Sequence, residues 1–212
     1  MIDPAAPPPL NLDGYTPLPR GKIAAVVTLL EMTAPPPPLA EHEAQELAQG
    51  LALEPVPAPG AAWYRTLFRR IGEDWLWFSR LALEDGTLQE ILSHPDVEVF
   101  VLKKDGAEVG LVELDGRVSG EVELAFVGLV PEMVGSGAGR FMMNRALALA
   151  WRRSPRRVHV HTCTHDRQGA VNFYIKAGFR PYAQALEIVD DPRLTGLLPR
   201  GAAPHVPVIA GE

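Results

Sequence analysis

Residues 134–140, VGSGAGR, stand between a run that reads as a strand and a run with helical spacing. No other stretch narrows the possible folds as much. Glycine lets the backbone come close to a bulky anion. The first-turn N–H groups of the helix that follows have no intrahelical acceptor, and its dipole favours negative charge at that end. Such a unit suits a pyrophosphate; the plain alternative is a glycine-rich turn that only reverses the chain. Two nucleotide-binding patterns fail on detail. An NTPase phosphate loop needs Gly-Lys-Ser/Thr, and here Gly139 is followed by Arg140 and Phe141. A dinucleotide fingerprint needs repeating βαβ units and an acidic residue about 20 positions on. Pro155, Arg156 and Arg157 occupy that region.

Three strand-like runs precede the loop, over residues 97–103, 107–114 and 120–130, with Asp105-Gly106 and Asp115-Gly116 at the turns. Residues 23–32 read as an earlier strand. Residues 40–52 are rich in helix formers and break at Gly50, which predicts a short helix. Residues 63–83 carry Leu67, Phe68, Ile71, Trp75 and Phe78 at helical spacing, with Gly72 dividing them. Thr87 and Glu90 read as a capping box ahead of Ile91 and Leu92. Beyond the loop a helix over 137–151 places Met143, Leu147, Ala150 and Trp151 on one face, and residues 157–164 read as a strand. Asp166 is placed to cap a helix whose buried face is Ala170, Phe173, Tyr174 and Ala177, with Gly178 at its C-terminal cap. Residues 179–189 form a last strand. The order predicts an α+β chain with a mixed sheet and no internal repeat.

The 212 residues, 47% hydrophobic and 22% charged, suit one globular domain. Residues 1–20 read as a flexible Pro-rich arm, 21–189 as the domain, and 190–212 as a tail that packs on it or adds an edge strand. Pro35 to Pro38 read as a stiff connector or as a ligand for a proline-binding module. A net charge of −6 argues against nucleic acid. The single cysteine, Cys163, excludes an internal disulfide. With no basic-then-apolar leader and no run of about 18 apolar residues, the expectation is a cytoplasmic protein off the membrane.

Leu129-Val130-Pro131 followed by VGSGAG resembles motif A of the GNAT superfamily of N-acetyltransferases, R/Q-x-x-G-x-G/A after a Val-x-Pro-like strand end. Residues 169–179, GAVNFYIKAGF, are similar to its motif B, A-x-x-x-Y-x-x-x-G-F. The motifs together cover residues 97–189. The resemblance implies a GNAT-type mixed, mostly antiparallel sheet flanked by helices. It further implies two parallel strands that splay around acetyl-CoA, the co-substrate, with no metal. Leu129 and Val130 would offer backbone contacts to the pantetheine arm. Val134, Gly135, Ser136, Gly137, Ala138, Gly139 and Arg140 would hold the pyrophosphate. Val134 departs from the usual Arg or Gln, and Arg140 can supply the missing charge. Arg167 stands where the family often has Asn and can reach a CoA phosphate; Asn172 lies nearby.

By the same resemblance Glu123 occupies the position of a general base and Tyr174 that of a general acid for the departing thiolate. Glu123 also reads as a solvated strand carboxylate, with Glu121 the fallback base, and Tyr174 also reads as a core tyrosine. His159, His161 and Cys163 alternate onto one strand face with His165 beyond, which prompts a metal or nucleophile reading that the family does not need. The early helices, with Trp63, Tyr64, Trp75 and Trp77, would roof an acceptor cleft. The expected function is transfer of acetyl to a primary amine of a small molecule or peptide. A non-catalytic acyl-CoA-binding or sensor module is the alternative, and a homodimer is left open.

Overall fold

The computed structural model describes residues 10–37 and 50–210. Among these residues seven strands form one sheet in the order β2-β3-β4-β5-β6-β1-β7. They are β1 (Lys22–Met32), β2 (Leu51–Pro55), β3 (Val97–Lys104), β4 (Ala107–Asp115), β5 (Glu121–Leu129), β6 (Arg157–Cys163) and β7 (Arg180–Asp190). The helices among the described residues are α1 (Ala61–Gly72), α2 (Asp85–Leu92), α3 (Ala138–Trp151) and α4 (Ala170–Lys176). Among the described residues only β5 and β6 run parallel; every other neighbouring pair is antiparallel. This is the α+β, mostly antiparallel architecture that the element order predicts. None of these helices is long and apolar enough to cross a membrane.

Helices cover both faces of the middle of the sheet, so β4 is buried from Val109 to Leu114 rather than alternating. α1 turns Tyr64, Leu67, Phe68 and Ile71 inward at helical spacing. Its close seat depends on Gly128 of β5, where a Cβ would stand 2.5 Å from Ile71 Cγ2 and 2.7 Å from Trp77 Cη2. On the other face α3 buries Phe141, Met142, Met143, Ala146, Leu147 and Ala150.

Several local expectations are corrected. Most of the helix expected over 40–52 lies outside the described residues, as do residues 1–9 of the arm, Pro38 and residues 211–212; Leu51 and Ala52 belong to β2, paired with β3. The strand order, which the sequence left open, puts β1 between β6 and β7, at the far end of the sheet from β2. Thr87 and Glu90 form no capping box, because α2 already starts at Asp85 behind Glu84. Asp166 does not cap α4, whose N-cap is Gly169. Its carboxylate instead accepts from Thr162 Oγ1 at 2.6 Å and from the Cys163 N–H at 2.9 Å. Phe173 is not buried but 36% exposed.

The tail adds no strand among the described residues; it packs back on the body. Arg193 is buried in an ion pair with Asp191 at 2.7 Å and donates to the carbonyls of Ala202, Ala203 and Val206. The Gly21 N–H donates to the Ile209 carbonyl at 3.1 Å, so the tail closes against the start of β1.

Candidate active site

The parallel pairing of β5 with β6 lasts three residues, Glu121, Val122 and Glu123 against Arg157, Val158 and His159. Past that point the strands part. A register slip opposite Glu113 and Leu114 leaves Ala125 of β5 without a partner on β4, a bulge that bends the strand. The opening belongs to a cleft of about 910 Å³ that reaches both faces of the sheet.

At one end lies the glycine loop. Val134, Gly135, Gly137, Gly139 and Arg140 line the cleft. Gly135 and Gly137 have φ of +88° and +89°, and a Cβ at either would meet nothing within 4 Å. The N–H groups of Gly135, Gly137 and Gly139 donate to no protein group among the described residues. Three such donors in the loop that opens a helix fit a pyrophosphate. Ser136 and Ala138 serve the loop rather than the cleft. Ser136 Oγ donates to the Met133 carbonyl at 2.7 Å, and Ala138 is buried. The Val130 N–H goes to the Val109 carbonyl at 3.0 Å, so Val130 turns toward β4. By alternation the N–H and C=O of Leu129 face the cleft, where a pantetheine amide would pair with them. Arg167 lines the cleft; Asn172 is exposed and away from it.

The opposite face is made of side chains. Glu123 and His161 both line the cleft, and His161 Nδ1 is 3.0 Å from Glu123 Oε1. That bond lowers the Glu123 pKa and raises that of His161, with Asp166 and Glu187 adding to the latter. Glu121, the fallback base, is tied to Arg157 at 2.6 Å, which lowers its pKa, and it does not line the cleft. The family resemblance set Glu123 ahead of Glu121; the histidine alternation also marked His161, but without its carboxylate partner.

Trp75, Trp77, Phe78 and Phe126 form an aromatic wall beside this pair. Trp63 and Tyr64 pack elsewhere: Trp63 Nε1 donates to Glu108, and the buried Tyr64 hydroxyl donates to Glu113. Arg80 lies over the Phe126 ring and donates from Nη2 to the fully buried Glu113 at 2.5 Å. Burial, then Glu113, raises the Tyr64 pKa well above the usual phenol value. Sequence spacing gave no sign of this Tyr64–Glu113–Arg80 cluster, because its members come from three separate segments.

Tyr174 reaches the cleft from α4, on the other side of the sheet. Burial, with the Asp166 charge, raises its pKa, so the phenol stays protonated at neutral pH. Cys163 also lines the cleft, with a thiol pKa raised mainly by burial, which disfavours a thiolate nucleophile. His159 turns to Glu121 at 3.7 Å, and among the described residues no group of three His, Cys, Asp or Glu side chains is placed to hold a metal.

The family model of the Acetyltransferase (GNAT) family matches residues 61–179, from the start of α1 through motif B. The chain belongs to the GNAT acetyltransferase family. This GNAT chain is similar in fold to a GCN5-related N-acetyltransferase from Sphaerobacter thermophilus, at 19% identity and a TM-score of 0.56, over 79% of this chain and 52% of that one. A GNAT-family protein from Novosphingobium aromaticivorans is similar at 14% identity and a TM-score of 0.55, over 88% of this chain and 70% of that one. The chain thus spans about half the length of the Sphaerobacter protein. No curated protein matches it. The family's co-substrate is acetyl-CoA, and the open glycine loop and the outward Leu129 backbone fit that molecule.

Proposed function

We propose that the protein is an acetyl-CoA-dependent N-acetyltransferase that acetylates a primary amine of a small molecule or peptide. One observation carries the reading: the Glu123–His161 pair and Tyr174 line the same cleft from opposite faces of the sheet. Acetyl-CoA supplies the thioester that the amine attacks. The glycine loop and Leu129 anchor and orient it along the opening. The Glu123–His161 pair takes the proton from the amine. Its imidazole, with a raised pKa, is the stronger base of the two, and Glu123 holds the ring and offsets the positive charge it acquires. Tyr174 donates to the sulfur from the other face. The aromatic wall at Trp75, Trp77 and Phe126 suits an amine with an apolar or aromatic part.

The test is release of free thiol from acetyl-CoA against a panel of aliphatic, aromatic and peptidyl amines. Amine-dependent release with a matching acetylated product supports the reading. Tight acetyl-CoA binding with no release for any amine would instead favour the non-catalytic sensor module, for which Val134 in the usual Arg or Gln position speaks.

A further inference from the structure

Arg80 and Arg117 line the cleft, and the proton transfers at Glu123, His161 and Tyr174 make no use of either. Each guanidinium spends one edge on a carboxylate beneath it. Arg80 donates to Glu113 from Nε at 3.5 Å and from Nη2 at 2.5 Å. Arg117 donates to Asp115 from Nε at 3.0 Å and from Nη2 at 2.6 Å. The carboxylates are the covered partners: the Glu113 and Asp115 side chains are 0% and 11% exposed, against 14% and 40% for Arg80 and Arg117. They hold the two forks in place from below. Among the described residues neither Nη1 donates to a protein group, and a guanidinium has only donors to offer. The Arg80 Nη1 is open to solvent, and Arg117 is exposed. The cleft therefore meets guanidinium here, with the balancing carboxylates underneath.

The register places these forks beside the Glu123–His161 pair. Asp115 of β4 stands directly opposite Glu123 of β5, and Glu113 opposite Phe126, so all four side chains share the face that carries α1. Neighbouring strands are about 5 Å apart. Arg80 also lies 5.0 Å from the centroid of the Phe126 ring. Beyond His161, on β7, Glu187 lines the same cleft. Across the sheet the cleft runs from guanidinium on the β4 side, past Glu123 and His161, to a carboxylate on β7.

We propose that the acceptor is an amino acid, with its amine at Glu123 and His161 and its free carboxylate held by Arg80 and Arg117. The inference rests on the acetyl-transfer reading of this cleft. The planar fork of arginine matches a carboxylate, and two forks held by buried partners are already oriented for it. One strand spacing between the two sites suits an amine and a carboxylate a few bonds apart. A diamine would set its second cation against the guanidiniums. The acceptor's side chain then falls along Trp75, Trp77 and Phe126, which selects an apolar or aromatic amino acid.

The test measures thiol release from acetyl-CoA with phenylalanine, leucine and tryptophan, each against its amide and its decarboxylated amine. Within each set the side chain is the same and the carboxylate differs. For at least one set, kcat/KM for the free amino acid should exceed that of both analogues by about 10²-fold, the worth of charge-assisted hydrogen bonds. The amide has the less basic amine, so more of it is neutral, and basicity cannot produce a preference for the acid. Arg117→Gln should cut the preference by about tenfold. Arg117 is the residue to change, because removing Arg80 would leave the buried Glu113 unpaired. A purely structural role would lower all rates together and leave the ratio unchanged. Amides or decarboxylated amines acetylated as well as the acids overturn the inference and leave the transferase standing. A preference that Arg117→Gln does not alter overturns the assignment to these arginines. No release with any amine removes the transferase reading, and this inference with it.

Discussion

At the glycine-loop end of the cleft the ligand-facing groups are backbone donors on Gly135, Gly137 and Gly139 at the start of α3. At the other end they are side chains from three places: Trp77 after α1, Phe126 and Glu123 on β5, and His161 on β6. The first end is local, made by residues within one turn of each other, and in the proposed reaction it would hold what all CoA thioesters share. The second is assembled across the sheet, and in the proposed reaction it would meet the part that differs between acceptors. A substitution at the first end should therefore act on co-substrate affinity, and one at the second on turnover.

The largest expected effect falls at the assembled end. Glu123→Gln or His161→Gln should each lower kcat/KM by roughly 10²–10⁴, with acetyl-CoA affinity nearly unchanged. Wild-type kcat/KM in both variants across the pH range would remove the pair from the chemistry. At the local end, Gly137→Glu puts a side chain and a negative charge into the space over the loop, at a residue with φ of +89°. Acetyl-CoA affinity by calorimetry should fall by about 10²-fold, the loss expected when charge-assisted hydrogen bonds are removed. Unchanged affinity in a folded variant would reduce the loop to a turn.

Tyr174 lies between the two ends, and Tyr174→Phe removes the hydroxyl while keeping the ring that packs against Phe179. Single-turnover acetyl transfer should slow by about 10²-fold, with little change in acetyl-CoA binding. A wild-type rate would leave Tyr174 as a core residue. The smallest effect is a shift rather than a loss. His161 must be neutral to accept a proton, so kcat/KM should rise as pH climbs through its raised pKa. Glu123→Gln removes the carboxylate that raises it, so the rising limb should move to lower pH in the residual activity. Stability runs the opposite way with pH. A raised histidine pKa stabilises the fold fully below the ordinary value of about 6.5, and that contribution is lost as pH rises through the folded value. An unmoved limb would mean that another group sets it.

Much of the fold was legible because its signals are local. The periodicity of residues 97–130 fixes strands, the glycines at 135, 137 and 139 mark a loop that opens a helix, and Tyr174 sits four residues before Gly178 in motif B. The failures share a cause. β2 is five residues long and held by its ladder to β3, which propensity does not report; Asp166 prefers Thr162 and Cys163, which the turn brings closer than the first turn of α4.

The amino-acid sequence by itself determined the strand–glycine loop–helix unit, the motifs and the residue types at the strand opening, because these depend on contacts a few positions apart. Tertiary structure alone decided that β1 crosses to lie between β6 and β7, that Glu113 is buried with Arg80 and Tyr64, and that Glu123 meets His161 across 38 positions. Those partnerships are set by how the sheet is ordered and where its parallel pair splits, and neither is written in the spacing of any one segment.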